Sequence, residues 1–290
     1  PEEKKLDKEF DKKYADDKLR PLYASMKKKK KIKGDEAETL DRVWELLDTL
    51  ADTEKQYHKE LGKMVGGEPI WSQWLKDVKG ISTILTANLL KEFGYCETYA
   101  HISSLWKHSG LDVVLIDPQH PELGGMAPKK KAGEKINYCP RLRTLAWKIG
   151  DSFIKQRTVP YRQIYDNEKE RQLRLMDGYW NELSLRIGKP CPEKLEDSSE
   201  KLAWAKKKYP DAYNLPSELK KAAPNSLLHA DNRARRKMVK IFLSNYWIIA
   251  RSIKGLELSQ PYVQDRLHHA HIYTPTLNPK TKTWDIKLMK

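Results

Sequence analysis

The longest run of helical periodicity lies between residues 35 and 65, "DEAETLDRVWELLDTLADTEKQYHKELGKMV". Leu40, Val43, Trp44, Leu47, Leu50, Tyr57, Leu61 and Met64 recur there at three- and four-residue steps. Such a stripe needs a partner, and both an intramolecular hairpin and a coiled-coil homodimer through residues 35–65 meet that need. "GGEP", Gly66 to Pro69, predicts its end. A second helical region follows, in which Trp71, Trp74, Val78 and Ile81 lead across Gly80 into Ile84, Leu85, Ala87, Leu89 and Leu90. A further helical piece is expected around "YAHISSLWKHSG". The period is lost from Leu111 to Lys135, where Pro and Gly predict a loop or a short hairpin.

Helical spacing returns in "CPRLRTLAWKIGDSFIKQR", with Leu142, Leu145, Ile149 and Phe153 as its apolar stripe, and again from about Pro160 to Ile187. "GKPCPEKLEDSSE" is a polar linker, and proline-broken short helices follow it. The last strong helix, "LLHADNRARRKMVKIFLSNYWIIARSIKG", is basic in its first half and apolar from Phe242 through Ile249. Beyond it the chain is expected to be an irregular tail. The fold class predicted is mainly α. It comprises a helix-hairpin-helix core, a long N-terminal amphipathic helix and that irregular C-terminal tail. The expected organisation is a basic arm over 1–34, the long helix over 35–69, a helix-hairpin-helix body over 70–190 and a helical extension with tail over 191–290.

Composition sharpens this picture. Of 290 residues 39% are apolar, enough for a core, while 33% are charged and the formal net charge is +15. That excess favours polyanionic partners: DNA, RNA or an anionic membrane surface, of which the local clustering of the charge favours nucleic acid. No stretch reaches eighteen apolar residues, so no membrane span is expected. Three scattered cysteines, Cys96, Cys139 and Cys191, give no CxxC pair. They suggest a reducing compartment, a cytoplasmic and, if DNA-bound, nucleoid-associated protein. Five consecutive lysines, Lys27 to Lys31, cannot sit in a core. Residues 129–172 carry twelve Lys and Arg against five Asp and Glu.

These clusters define the expected DNA-contacting residues. In "VKGIST", Gly80 allows close backbone approach, Ser82 and Thr83 are candidate caps of the next helix, and Lys79 adds charge. Lys129, Lys130 and Lys131, Arg141 and Arg143, and Arg233, Arg236, Lys237 and Lys240 supply the remaining contacts. Such contacts read phosphates rather than bases and predict little sequence preference. Tyr138, Trp147, Tyr161 and Tyr165 lie near the charges and could stack on exposed bases, but the spacing of Trp147 and Tyr165 near helical apolar positions places most of them in the core. His268, His269 and His271 lack neighbouring ligands that would make a metal site compelling. Asp112, Asp117, Glu122 and Glu134 lie in the loop region and Asp151, Asp166 and Glu168 on helices among basic groups, and most of them are expected to be solvent-facing partners of Lys and Arg. No spacing selects a set of catalytic carboxylates, no phosphate-loop motif is present, and no cofactor is expected.

Residues 71–157, with "VKGISTILTANLLKEFGYCETYAHISSLWKHSGLD" and "KKAGEKINYCPRLRTLAWKIGDSFIK", resemble the C-terminal domain of the IS110/IS116/IS902 transposase family. Later segments, such as "NRARRKMVKIFLSNYWIIARSIKGL", look like an archaeal branch of it. The resemblance implies a helix-hairpin-helix domain acting on DNA, with branched DNA as a substrate class and RNA as a further partner. It also implies a RuvC-like nuclease half, for which these 290 residues hold no counterpart. The loop that should carry the family's catalytic serine reads "MAPKKKAGEKINYCPRLR" and has none; Ser109 in "KHSGL" is the nearest. The expectation is therefore DNA binding without sequence specificity. An active recombinase or nuclease and a helical dimeric interaction protein are the alternatives.

Overall fold

The computed structural model describes Ser25 and residues 34–115, 125–126, 128, 132–133, 135–214, 224, 226–259 and 272–289. The chain is mainly α-helical, with nine α-helices among the described residues and two small two-stranded sheets. It divides into two compact units, Pro1–Glu60 and Leu61–Lys290. Most of helix α1 (Asp35–Gly66) belongs to the first unit. Its first turn carries Asp35, Glu36 and Glu38, as the helix dipole favours. Leu40, Val43, Leu47, Leu50, Tyr57 and Met64 on this helix are all exposed.

In the second unit, α2 (Pro69–Gln73) and a 3₁₀ turn (Leu75–Asp77) bury Ile70, Trp74 and Leu75. α3 (Thr83–Phe93) starts at Ser82, whose Oγ accepts from the Leu85 amide at 3.3 Å, and ends at Gly94 (φ +54°). α4 (Ile102–His108) leads to a two-residue ladder, β1 (Val114–Leu115) with β2 (Gly125–Met126). α5 (Pro140–Gln156) opens with proline in its first turn and stops at Arg157, which adopts a left-handed conformation. α6 (Tyr161–Ile187), α7 (Ser198–Lys208) and α8 (Pro210–Asn214) follow. Met176, Tyr179 and Leu183 of α6 meet Leu202, Ala205 and Tyr213 in a small second core.

α9 (Leu227–Ile253) organises the main core and packs most extensively along α6. Phe242 is stacked on Trp74 at 5.5 Å between ring centres and meets Phe153 and Tyr161 edge-on at 5.0 and 5.4 Å. Farther along, Trp247 Nε1 donates to the Tyr99 carbonyl (2.7 Å), Tyr246 to that of Gly94 (2.8 Å) and Arg251 to that of Cys96 (2.8 Å). The loop after α3 is thereby fixed to the C-terminal half of α9. The core draws on residues from both sides of the linker near residue 190.

The C-terminal tail is not irregular throughout. β3 (Ile272–Asn278) and β4 (Thr283–Met289) form an antiparallel hairpin in register from Ile272↔Met289 to Asn278↔Thr283. Trp284 and Ile286 alternate with Asp285 and pack on the main core. Asn278 Oδ1 accepts the Lys280 amide (3.0 Å) and closes the turn. No helix among the described residues is long and apolar enough to cross a membrane.

Candidate functional site

Four of the cations expected to bind DNA converge where the first half of α9 faces α4 and the start of α5. Arg233, Arg236 and Lys240 recur at three- and four-residue steps, so one face of α9 presents all three. Arg143 reaches them from α5. The Arg236 guanidinium is held below the usual arginine value, first by burial and then by Arg143 and Arg233. The Lys240 ammonium is likewise held low by burial and by Arg236. Burial and Arg171 lower Arg233.

Asp112 is the carboxylate that offsets the crowding at Arg236 and Lys240. Among the described residues, neither cation has a carboxylate within ion-pair distance or a side-chain hydrogen bond. Partly buried charges are ordinarily paired, and among the described residues Arg236 and Lys240 depart from that rule.

Aromatic rings hold the cluster in shape. Lys240 Nζ lies 4.1 Å from the centre of the Trp106 ring, whose Nε1 donates to the Lys240 carbonyl (3.1 Å). Arg143 lies over Tyr138 at 5.0 Å, and its Nη1 donates to the Pro128 carbonyl (2.6 Å). The Tyr138 ring rests directly on Gly110 (φ +64°): a Cβ there would lie 2.7 Å from Cδ2 of Tyr138. The "HSGL" corner thus sets the ring that sets Arg143. Arg233 is tethered to α6, with Nη1 donating to Gln172 Oε1 at 3.0 Å.

The other expected contacts divide differently. Lys237 turns to α6 and pairs with Glu168 Oε2 at 2.6 Å. Arg141 is exposed at the start of α5. Lys79, Gly80, Ser82 and Thr83 form the turn before α3. The carbonyls of Lys79 and Gly80 accept from Thr158 Oγ1 and Ser152 Oγ, both at 2.6 Å. Ser152 lies nine residues beyond Arg143 on α5, about 14 Å along the axis. The turn and the cation cluster therefore sit at opposite ends of α5 as separate patches. Lys79 and Ser82 are exposed.

Lys129, Lys130 and Lys131 lie outside the described residues, as do Lys27 to Lys31, Asp117, Glu122, Glu134, His268, His269 and His271. Among the described residues no group of three or more His, Cys, Asp or Glu side chains is placed to hold a metal. Ser109 is fully buried, and its Oγ donates to the Leu105 carbonyl at 2.8 Å.

Two expectations from the sequence are corrected. Glu168 is not solvent-facing: it is only 4% exposed. Burial pushes its carboxyl up, but hydrogen bonds from Arg171, Lys237 and Gln172 outweigh this and bring it down to about 2. Trp147 is not in the core. It is 49% exposed, while Tyr161 and Tyr165 are buried.

The residues that sequence reasoning missed are Trp106, Gly110 and Asp112, which shape the cluster, and Arg235. The last was visible only as one more arginine in a basic helix. The chain matches no family model, no curated protein and no solved structure.

Proposed function

We propose that this protein binds nucleic acid, DNA in the first place, through phosphate contacts that carry little sequence information. The observation that carries the reading is the half-buried pair Arg236 and Lys240, with Arg143 and Arg233 beside Arg236; burial and neighbouring cations disfavour both charges, and among the described residues Asp112 alone offsets them, beyond ion-pair distance. A phosphodiester entering this cluster supplies the missing negative charge, and Arg side chains suit its geometry.

We read the Pro69–Phe93 segment as a helix-hairpin-helix. Its turn adds a second phosphate contact through Lys79, Ser82 and Thr83 at the start of α3. The likeness to the C-terminal domains of IS110-type transposases points the same way and makes branched DNA and structured RNA the substrates to compare. The burial of Ser109 favours holding over strand transfer.

The test is a titration of the full chain against DNA duplex, a four-way junction and structured RNA at two salt concentrations. Affinity should fall steeply with salt, and Arg236→Met should reduce the slope by about 1. Absence of binding at low salt, or binding independent of salt, would overturn the reading.

A second reading rests on its own observation, the exposed apolar face of α1. Leu40, Leu47 and Leu61 fall at one heptad position and Val43, Leu50, Tyr57 and Met64 at another, a spacing suited to a coiled coil with a second copy. Sedimentation at rising concentration tests it: a species that stays monomeric refutes the pairing.

A further inference from the structure

Trp147 presents a platform that the phosphate cluster alone does not explain. The large apolar side chains Leu142, Leu145, Ile149 and Phe153 of α5 are buried, whereas the indole of Trp147 stands 49% exposed. Its position is not loose. The Arg235 guanidinium lies 4.1 Å from the ring centre, and the Arg235 side chain is itself only 13% exposed. Asp231 (3.5 Å) and Asp151 (3.6 Å) hold that guanidinium from its own helix and from α5. The indole is therefore fixed against a cation while much of its surface stays in water.

Trp147 follows Arg143 by four residues, so the two stand on the same face of α5, about 6 Å apart. Arg235 and Arg236 are consecutive on α9. A pinned aromatic surface thus lies one helical turn from a phosphate-binding arginine, on the scale that separates a nucleotide's base from its phosphate.

We infer that Trp147 is a stacking platform for an unpaired nucleobase whose flanking phosphate occupies the Arg143–Arg236–Lys240 cluster, which makes single-stranded or locally opened nucleic acid the preferred partner. The inference rests on the nucleic-acid reading above and narrows its substrate class. Bases inside a duplex are stacked on one another and offer no free face, whereas every unpaired base does. The platform therefore selects strand state rather than sequence. The Arg235 guanidinium behind the indole provides a cation–π contact that fixes the ring without the ligand having to order it.

The experiment measures dissociation constants of the full chain for a labelled oligothymidylate of about 16 nucleotides and for a duplex of equal length. Both are measured with wild type, Trp147→Ala, Trp147→Phe and Arg236→Met. The single strand should bind more tightly than the duplex. Trp147→Ala should weaken single-strand binding about tenfold or more and leave duplex binding within about twofold, while Trp147→Phe retains most of the affinity. Arg236→Met should weaken both substrates. Equal losses on both substrates in Trp147→Ala, or no loss on either, would overturn the platform while leaving phosphate binding intact. Failure of wild type to bind either substrate would overturn both readings. Thermal melts of each variant establish that it is folded, and Trp147→Phe preserves the ring if the alanine variant is not.

Discussion

Substituting Gly80 by alanine separates a structural role of the turn from a phosphate-binding one. Gly80 has φ +89°, a conformation that costs an L-residue about 1–2 kcal/mol. A Cβ there would lie 2.8 Å from Ser152 Oγ and 3.3 Å from Gln156 Cγ. The Ser152 hydroxyl would have to rotate away, giving up its 2.6 Å hydrogen bond to the Gly80 carbonyl, worth about 1 kcal/mol. Gly80→Ala should therefore lower the unfolding free energy by about 2–3 kcal/mol.

Ser152→Ala alone should cost about 1 kcal/mol, because it removes the same hydrogen bond. In the double variant that bond is lost only once and the clash with Oγ is gone, so its cost should match Gly80→Ala rather than the sum of the two. Urea melts with unchanged m-values provide the cycle. Additive costs, or a Gly80→Ala protein as stable as wild type, would refute the close packing of the turn on α5.

Further tests bear on the charges. Lys240→Met removes a cation that burial and Arg236 disfavour, while keeping an apolar stem on Trp106. It should raise stability by about 1 kcal/mol yet lower DNA affinity; a variant that loses stability and keeps affinity would contradict the cluster's role. Because burial and Arg236 hold the Lys240 ammonium low, wild-type affinity should begin to fall at a lower pH than an exposed lysine would give. The Met variant should lack that step in a pH series of titrations.

Glu168→Gln should cost about 2 kcal/mol at neutral pH by weakening charge-assisted hydrogen bonds from Arg171 and Lys237. The folded Glu168 carboxyl lies near 2, below its ordinary 4.5, so its contribution is present above about 4.5 and lost as pH falls toward 2. Wild type and variant should therefore converge in acid melts. Asp231, also held low, acts in both proteins and cancels in the difference.

Much of the helical framework is legible in the sequence, because α5, α6 and α9 carry long apolar stripes. The stripe of α6 shows both the reach and the limit of that signal. Tyr161, Ile164, Tyr165, Met176, Tyr179 and Leu183 are buried, and Glu168 and Gln172 fall on the same helical face and are buried with them. The period pointed to Glu168, but its residue type argued for solvent, and only the positions of Lys237 and Arg171 reveal what satisfies the carboxylate. Trp147 errs in the other direction. It stands two residues beyond Leu145, about 200° around the helix from it, so its exposure follows from its angle despite its apolar character. The hairpin of β3 and β4 was missed because a proline and a run of threonines resemble a loop, although Trp284 and Ile286 already alternate with Asp285. The cation cluster was half visible: the spacing of Arg233, Arg236 and Lys240 places them together, but nothing in the chain announces that Arg143 meets them or that Lys237 does not.

The two halves of α9 solve opposite problems, and the first depends on the second. Arg233, Arg236 and Lys240 repel one another, and a flexible helix would relieve that strain by letting their side chains part into water. Partial burial, the Trp106 ring beside Lys240 and the hydrogen bond from Arg233 to Gln172 oppose this. That burial persists because Phe242, Tyr246 and Trp247 are packed in the core and Arg251 is bonded to the carbonyls of Cys96, Tyr99 and Glu257. The apolar half thus offsets the cost of crowding in the basic half. Binding an anion to cations already gathered costs less side-chain freedom than assembling them around it, so under the proposed function the crowding that lowers stability in the free protein is expected to strengthen binding. Stability and affinity are for that reason expected to move in opposite directions at Lys240 and Arg236, and together at Phe242 or Trp247, where a cavity would loosen the support beneath the cluster.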